Sequence, residues 1–172
     1  RPTMSIVTQP LRDEHKELYP NVDRMRQVAE IVDNASPAEV MAGVAEVYQF
    51  LAHHLLPHAT AEEAALYPVV QKVLGSADAT KTMSRDHVEI EIYIKELEKL
   101  QSELDGTPLT TLQIKALQRV LYGAYALVKV HFAKEEEVYL PILDERLSAD
   151  AAREMFEAME AAAHKAMHVD GA

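Results

Sequence analysis

Along this chain the apolar positions recur every three or four residues in long runs, which is the period of a helix with one buried face. The first run is Leu11, His15, Leu18, Val22, Met25, Ala29 and Val32. The second is Val40, Val44, Val47, Leu51, His54, His58, Ala61, Ala65 and Val69. A third reads His87, Ile90, Glu91, Ile94 and Leu97, and a fourth reads Leu117, Val120, Ala124, Leu127, Val128, His131, Glu135, Val138 and Ile142. Local signals set their limits. Pro10 suits a first turn, and the first helix is expected to run to about Asp33. Ser36-Pro37-Ala38-Glu39 reads as a capping box, opening a second helix that ends at Gly75. The third is expected from about Asp78 to Leu104, stopped by Asp105-Gly106, and the fourth from Thr107-Pro108 to about Leu147.

Stripes of this spacing, joined by short turns, pack as an antiparallel up-and-down four-helix bundle, so the expected class is all-α. A fifth stretch, from about Ala149 to His168, gathers Ala152, Met155, Phe156, Met159 and Ala163 on one face. It is expected to be an additional C-terminal helix that covers the bundle or meets a partner protein. The organisation is then an N-terminal extension (1–9), the bundle (10–147), and a C-terminal helix and tail (148–172). A native start at Met4 is expected. A straight second helix would be about 57 Å long. Because Pro57 and Pro68 lie inside it, a kink near the first and a bend or break near the second are expected.

Composition agrees with this reading. Hydrophobic residues make up 48% of the 172, enough for a packed interior, and five glycines are too few for a turn-rich β fold. The net charge of -11 repels nucleic acid and anionic lipid, so neither is an expected partner. The absence of cysteine excludes disulfides, thiolate metal sites and cysteine nucleophiles, and fits a cytoplasmic setting. No apolar run reaches a membrane span. There is no Gly-rich phosphate loop, dinucleotide fingerprint or nucleophile elbow.

The stripes are interrupted by polar residues. Each of the four helices carries a histidine on its apolar face: His15, His58, His87 and His131. Three add a glutamate one turn later: Glu62, Glu91 and Glu135. One histidine on an apolar face is usually a hydrogen-bonded core residue, and one such glutamate is usually solvated. Gathered at one level of a bundle, several carboxylates repel and need a positive charge among them. No lysine or arginine falls on the stripes at that height, so a metal supplies it most simply. The second and fourth helices also share a repeat. His58 and His131 are each followed by glutamates at +4 and +5 and by proline at +10, with a tyrosine (Tyr67, Tyr139) between. Two copies point to a pseudo-symmetric site for two metals.

With Asp13-Glu14-His15, the two His-x-x-x-Glu-Glu repeats and His87, the sequence resembles the hemerythrin-like (HHE cation-binding) family over about residues 10–145. The resemblance implies an antiparallel bundle around an oxo- or hydroxo-bridged pair of iron ions. Glu62 and Glu135 would be bridging carboxylates, and His15, His58, His87 and His131 terminal ligands. Where oxygen-carrying members place a second histidine in the third helix, this chain has Glu91, which implies four histidines and three carboxylates. Such a donor set favours oxidised metal and disfavours reversible oxygen storage. Glu136 competes with Glu135, helical geometry favouring Glu135. His54, one turn before His58, is read first as a group supporting the ligands from behind, with an additional ligand or a core histidine as the alternatives.

Imidazole and carboxylate suit iron, manganese and zinc, though zinc prefers fewer, tetrahedral ligands; the resemblance makes iron the expected metal, with manganese or zinc less expected. Three functions follow. The first is binding or sensing of a small ligand (oxygen, nitric oxide or peroxide) or of iron or redox state. The second is an enzyme that decomposes peroxide or related oxidants. The third is a structural metal bundle whose fifth helix docks a partner protein.

Overall fold

The computed structural model describes residues 6–169; Met4 and the last three residues of the tail lie outside the described residues. Among these there are five helices and no strand. We number them α1 (Gln9–Ile31), α2 (37–74), α3 (Lys81–Ser102), α4 (111–146) and α5 (Ala149–Val169). Helix α1 packs on α2 and α4, and α3 packs on α2 and α4, which closes a four-membered ring of helices.

The boundaries follow capping chemistry. Ser36 Oγ accepts from the Glu39 N–H while the Glu39 carboxylate accepts from the Ser36 N–H, a complete capping box with Pro37 in the first turn. Gly75, at φ 67°, ends α2 in a left-handed turn in which the Ser76 N–H reaches the Gln71 carbonyl. The start of α4 lies beyond the expected Thr107-Pro108. Thr110 and Gln113 form a second reciprocal box there, satisfying two N–H groups that Thr107 would leave open.

Helix α2 does not break at Pro68. Each of three prolines is preceded by one π turn: Leu51–Leu55 before Pro57, Glu62–Leu66 before Pro68 and Glu135–Tyr139 before Pro141. The residue just before each proline bonds five residues back, as the Leu56 N–H does to the Leu51 carbonyl. Proline has no N–H, and its ring collides with the carbonyl four residues earlier; a widened turn moves that carbonyl aside without ending the helix.

Each π turn also rotates the face that follows it. The apolar stripe expected through His54 passes instead through Leu55, and His54 is exposed beside Phe50. In α4 the stripe leaves Val138, which is 50% exposed, and continues through the fully buried Leu140 and Leu143. Helix α5 lies along the middle of α2, burying Ala152, Met155 and Met159. Its apolar face covers the bundle. No helix among the described residues is long and apolar enough to cross a membrane.

Two apolar clusters result. One, built around Val22, Met25, Val44, Ile94, Leu117 and Phe132, fills one end of the bundle; the other joins Leu11, Leu66, Met83, Leu140 and Leu143 to α5. The polar layer lies between them. In urea unfolding of the metal-free protein, Leu143→Ala should cost about 2–5 kcal/mol by opening a cavity. Val138→Ala should change stability by less than about 0.5 kcal/mol. Equal losses would show that the π turn does not rotate the stripe.

Candidate metal centre

Among the described residues, the buried histidines and carboxylates are six: His15, His58, Glu62, His87, His131 and Glu135. They come from all four helices of the ring and converge. Glu62 and Glu135 each open a π turn, four residues after His58 and His131 respectively. The four-residue spacing in the α-helix before each π turn keeps both members of each pair pointing inward.

All four histidines are oriented alike. His15 Nδ1 lies 3.1 Å from Glu136 Oε1, and His58 Nδ1 lies 2.8 Å from Glu14 Oε1. His87 Nδ1 is 2.7 Å from Glu63 Oε1, and His131 Nδ1 is 2.9 Å from Asp86 Oδ2. An ionised carboxylate can only accept, so in each case Nδ1–H donates, and once the ring is neutral Nε2 carries the lone pair. All four Nε2 atoms face the centre. Those of His15 and His58 are buried with no hydrogen-bond partner, as are Glu62 Oε2 and both oxygens of Glu135.

Glu62 stands between the two histidine pairs. Its Oε1 is 3.1 Å from His87 Nε2 and 3.6 Å from His131 Nε2, while Oε2 is 3.5 Å from His58 Nε2. Ligating atoms of His15, His58 and Glu62 lie within 4.8 Å of one another, and so do those of Glu62, His87 and His131. Glu62 belongs to both trios. Glu135 Oε1 approaches His131 Nε2 to 2.8 Å without the alignment of a hydrogen bond.

The two halves have different walls. Phe132 stacks on His15, with ring centroids 4.0 Å apart and planes 6° from parallel. On the other side the Tyr67 hydroxyl reaches within 3.2 Å of His131 Nε2 and 3.4 Å of His87 Nε2. By the sequence repeat, the counterpart of Tyr67 is Leu140, and that of Phe132 is Ala59.

Without a cation, protons carry the balance of charge. Burial pushes the Glu135 carboxyl well above the usual range, and the adjacent Glu62 charge pushes it further. Burial would raise Glu62 too, but the charge of His58 and the close approach of Glu135, His131 and His58 hold it well below. Burial opposes a charge on His131, yet the bond to Asp86 and the nearby Glu135 and Glu62 carboxylates outweigh it and lift it to about 11. For His15, burial followed by repulsion from His58 lowers the value to about 4. Burial, then the charges of Glu62 and Glu135, pushes Tyr67 well up, so its hydroxyl keeps its proton.

Glu91 is not brought to the cluster. The buried stripe of α3 runs through Met83, His87, Ile90 and Ile94, with His87 at its edge, and Glu91 lies about 40° further round, exposed. The gathered donors are therefore four histidines and two carboxylates, and the inference drawn from a third carboxylate falls with Glu91. Glu135 faces the centre, while Glu136 faces His15. His54 supports no member of the cluster; the supporting groups are carboxylates. Tyr139 O–H donates to the Ala79 carbonyl at 3.0 Å, a structural role unlike that of Tyr67. Sequence reasoning had not assigned Glu14, Glu63 and Asp86 to these histidines. The signal was there in part: Glu14 and Asp86 directly precede a histidine, and a residue one step along a helix points toward the neighbouring helix.

The chain matches the Hemerythrin HHE cation binding domain over residues 7–143. No curated protein and no solved structure matches it.

A cation entering this cluster must displace protons from the groups whose hold on them is raised: His131, lifted to about 11, and His58 and Glu135, both well above their ordinary values. Metal uptake should therefore release protons, and apparent affinity should fall as pH is lowered. Calorimetric titration in buffers of different ionisation enthalpy measures this; uptake without proton release would contradict it.

Proposed function

The chain belongs to the hemerythrin HHE cation-binding family, and from that premise we propose that its bundle holds two iron ions and uses them to bind or sense a small ligand. The observation that carries the proposal is Glu62, a buried carboxylate whose two oxygens face two separate histidine pairs. His15 and His58 would hold one ion, His87 and His131 the other, and Glu62 and Glu135 would serve both. The unpartnered Nε2 atoms and carboxylate oxygens fit that role, since each otherwise loses its hydration without replacement.

Nitrogen and oxygen donors without sulfur suit iron and manganese, whereas zinc prefers four tetrahedral ligands. Six protein side chains leave positions open on two six-coordinate ions, and when bound, iron supplies there the affinity for oxygen, nitric oxide or peroxide. The protein's own part is selection and orientation. Every one of the six residues is at most 7% exposed, so only small molecules reach them. Phe132 excludes water beside His15. A cytoplasmic setting belongs to the same proposal, on the cysteine-free composition.

Tyr67 favours a second reading, an enzyme that decomposes peroxide. Its protonated hydroxyl is the one polar wall group placed among the ligating nitrogens, where it can donate a proton to a reacting oxygen. Reversible spectral change of the iron-loaded protein with oxygen or nitric oxide supports binding or sensing; many turnovers of peroxide per chain support the enzyme. In the second case Tyr67→Phe should keep its metal and lose rate on the order of 100-fold.

Metal content per chain tests the centre itself. Wild type should hold two irons, and Glu62→Ala and Glu135→Ala should each lose metal, while Glu91→Ala keeps both. One iron or none in wild type, or loss in Glu91→Ala, would overturn the assignment.

A further inference from the structure

The four carboxylates that hold the histidines form a closed ring. Glu14 of α1 holds His58 of α2, and Glu63 of α2 holds His87 of α3. Asp86 of α3 holds His131 of α4, and Glu136 of α4 holds His15 of α1. Each helix thus supplies the carboxylate for the histidine of the next helix round the bundle. The ring also repeats halfway: in α1 and α3 the carboxylate directly precedes that helix's own histidine, and in α2 and α4 it lies five residues after it. In α2 and α4 the carboxylate is the second residue of a π turn, next to the inward Glu62 or Glu135, so adjacent glutamates part toward the centre and toward the neighbouring helix.

We propose that Glu14, Glu63, Asp86 and Glu136 are positioning residues, acting in two pairs that each prepare one metal position. Glu136 and Glu14 hold His15 and His58; Glu63 and Asp86 hold His87 and His131. The inference rests on the two-ion reading above. An acceptor on Nδ1–H fixes the tautomer with the Nε2 lone pair inward and stops the ring from turning, and loss of such a partner commonly weakens a metal site by about 10–100-fold. The carboxylates themselves lie toward the surface: the side chain of Glu14 is 47% exposed and that of Asp86 14%. Replacing them leaves the core packed. Lys134 Nζ, 2.5 Å from Asp86 Oδ2, and Arg12, which donates to the Glu136 carbonyl, brace two of the four from outside.

The experiment pairs variants by position. Glu14→Ala with Glu136→Ala should bring iron content from two per chain to one, and Glu63→Ala with Asp86→Ala should do the same. Single alanine variants should weaken one of the two ions about 10–100-fold in competition with a chelator. The matching Gln or Asn variants should recover most of that loss, since an amide carbonyl still accepts from Nδ1–H. Glu91→Ala removes an equal charge from the surface and should change nothing. In the metal-free protein, each alanine variant should also remove one strongly downfield imidazole N–H signal by proton NMR. Wild type taking up fewer than two ions overturns the two-ion reading. Wild type with two, and both paired variants still with two at wild-type affinity, overturns the ring alone. Equal loss in alanine and amide variants would assign the effect to charge rather than orientation and reject positioning.

Discussion

Two carboxylates, Glu62 and Glu135, are fully buried between two apolar clusters, and the molecule is arranged around the need to neutralise them. An unpaired ionised carboxylate in such a place costs several kcal/mol, and two adjacent ones cost more. In the metal-free protein, burial and repulsion by Glu62 strengthen Glu135's hold on a proton, while the histidines favour the ionised form of Glu62. This solution leaves five polar atoms unpartnered. Metal cations held in this layer would satisfy those atoms.

The prolines give that layer its geometry. Pro68 and Pro141 each lie six residues after the inward glutamate, and each is preceded by a π turn that begins at the glutamate itself. The inserted residue lets consecutive glutamates diverge, one to the centre and one to the neighbouring histidine. It also moves the apolar stripe that follows, from Val138 to Leu140 and Leu143. A feature that reads as a helix breaker is therefore a device for aiming side chains. Pro20, inside α1 with no π turn, shows that proline alone does not dictate the outcome.

Pseudo-symmetry relates the ligands but not their surroundings. The repeat places histidine and glutamate alike in both halves, then puts Phe132 against one pair and the Tyr67 hydroxyl against the other. Two ions held there would differ in what a bound small molecule could hydrogen-bond to. Helix α5, laid on α2 opposite this layer, closes the second apolar cluster with Met155 and Met159.

Local and periodic information was enough for the helices, their caps at Ser36 and Gly75, the bundle class and the family. These depend on spacing, capping and residue type, which a chain carries in one dimension. Convergence of His15, His58, Glu62, His87, His131 and Glu135 was legible for the same reason, since each falls on a buried stripe or, as Glu62 does, one turn after a histidine that lies on one. Only the tertiary structure decided that Glu91 points away, that His54 turns outward, and that Glu14, Glu63, Asp86 and Glu136 each grip a histidine of another helix. Those outcomes depend on helix rotation and on π turns, where a single added residue swings a side chain by roughly a quarter turn, and on contacts between residues up to 121 positions apart. A stripe says which face is buried; it does not say which edge of that face meets which neighbour.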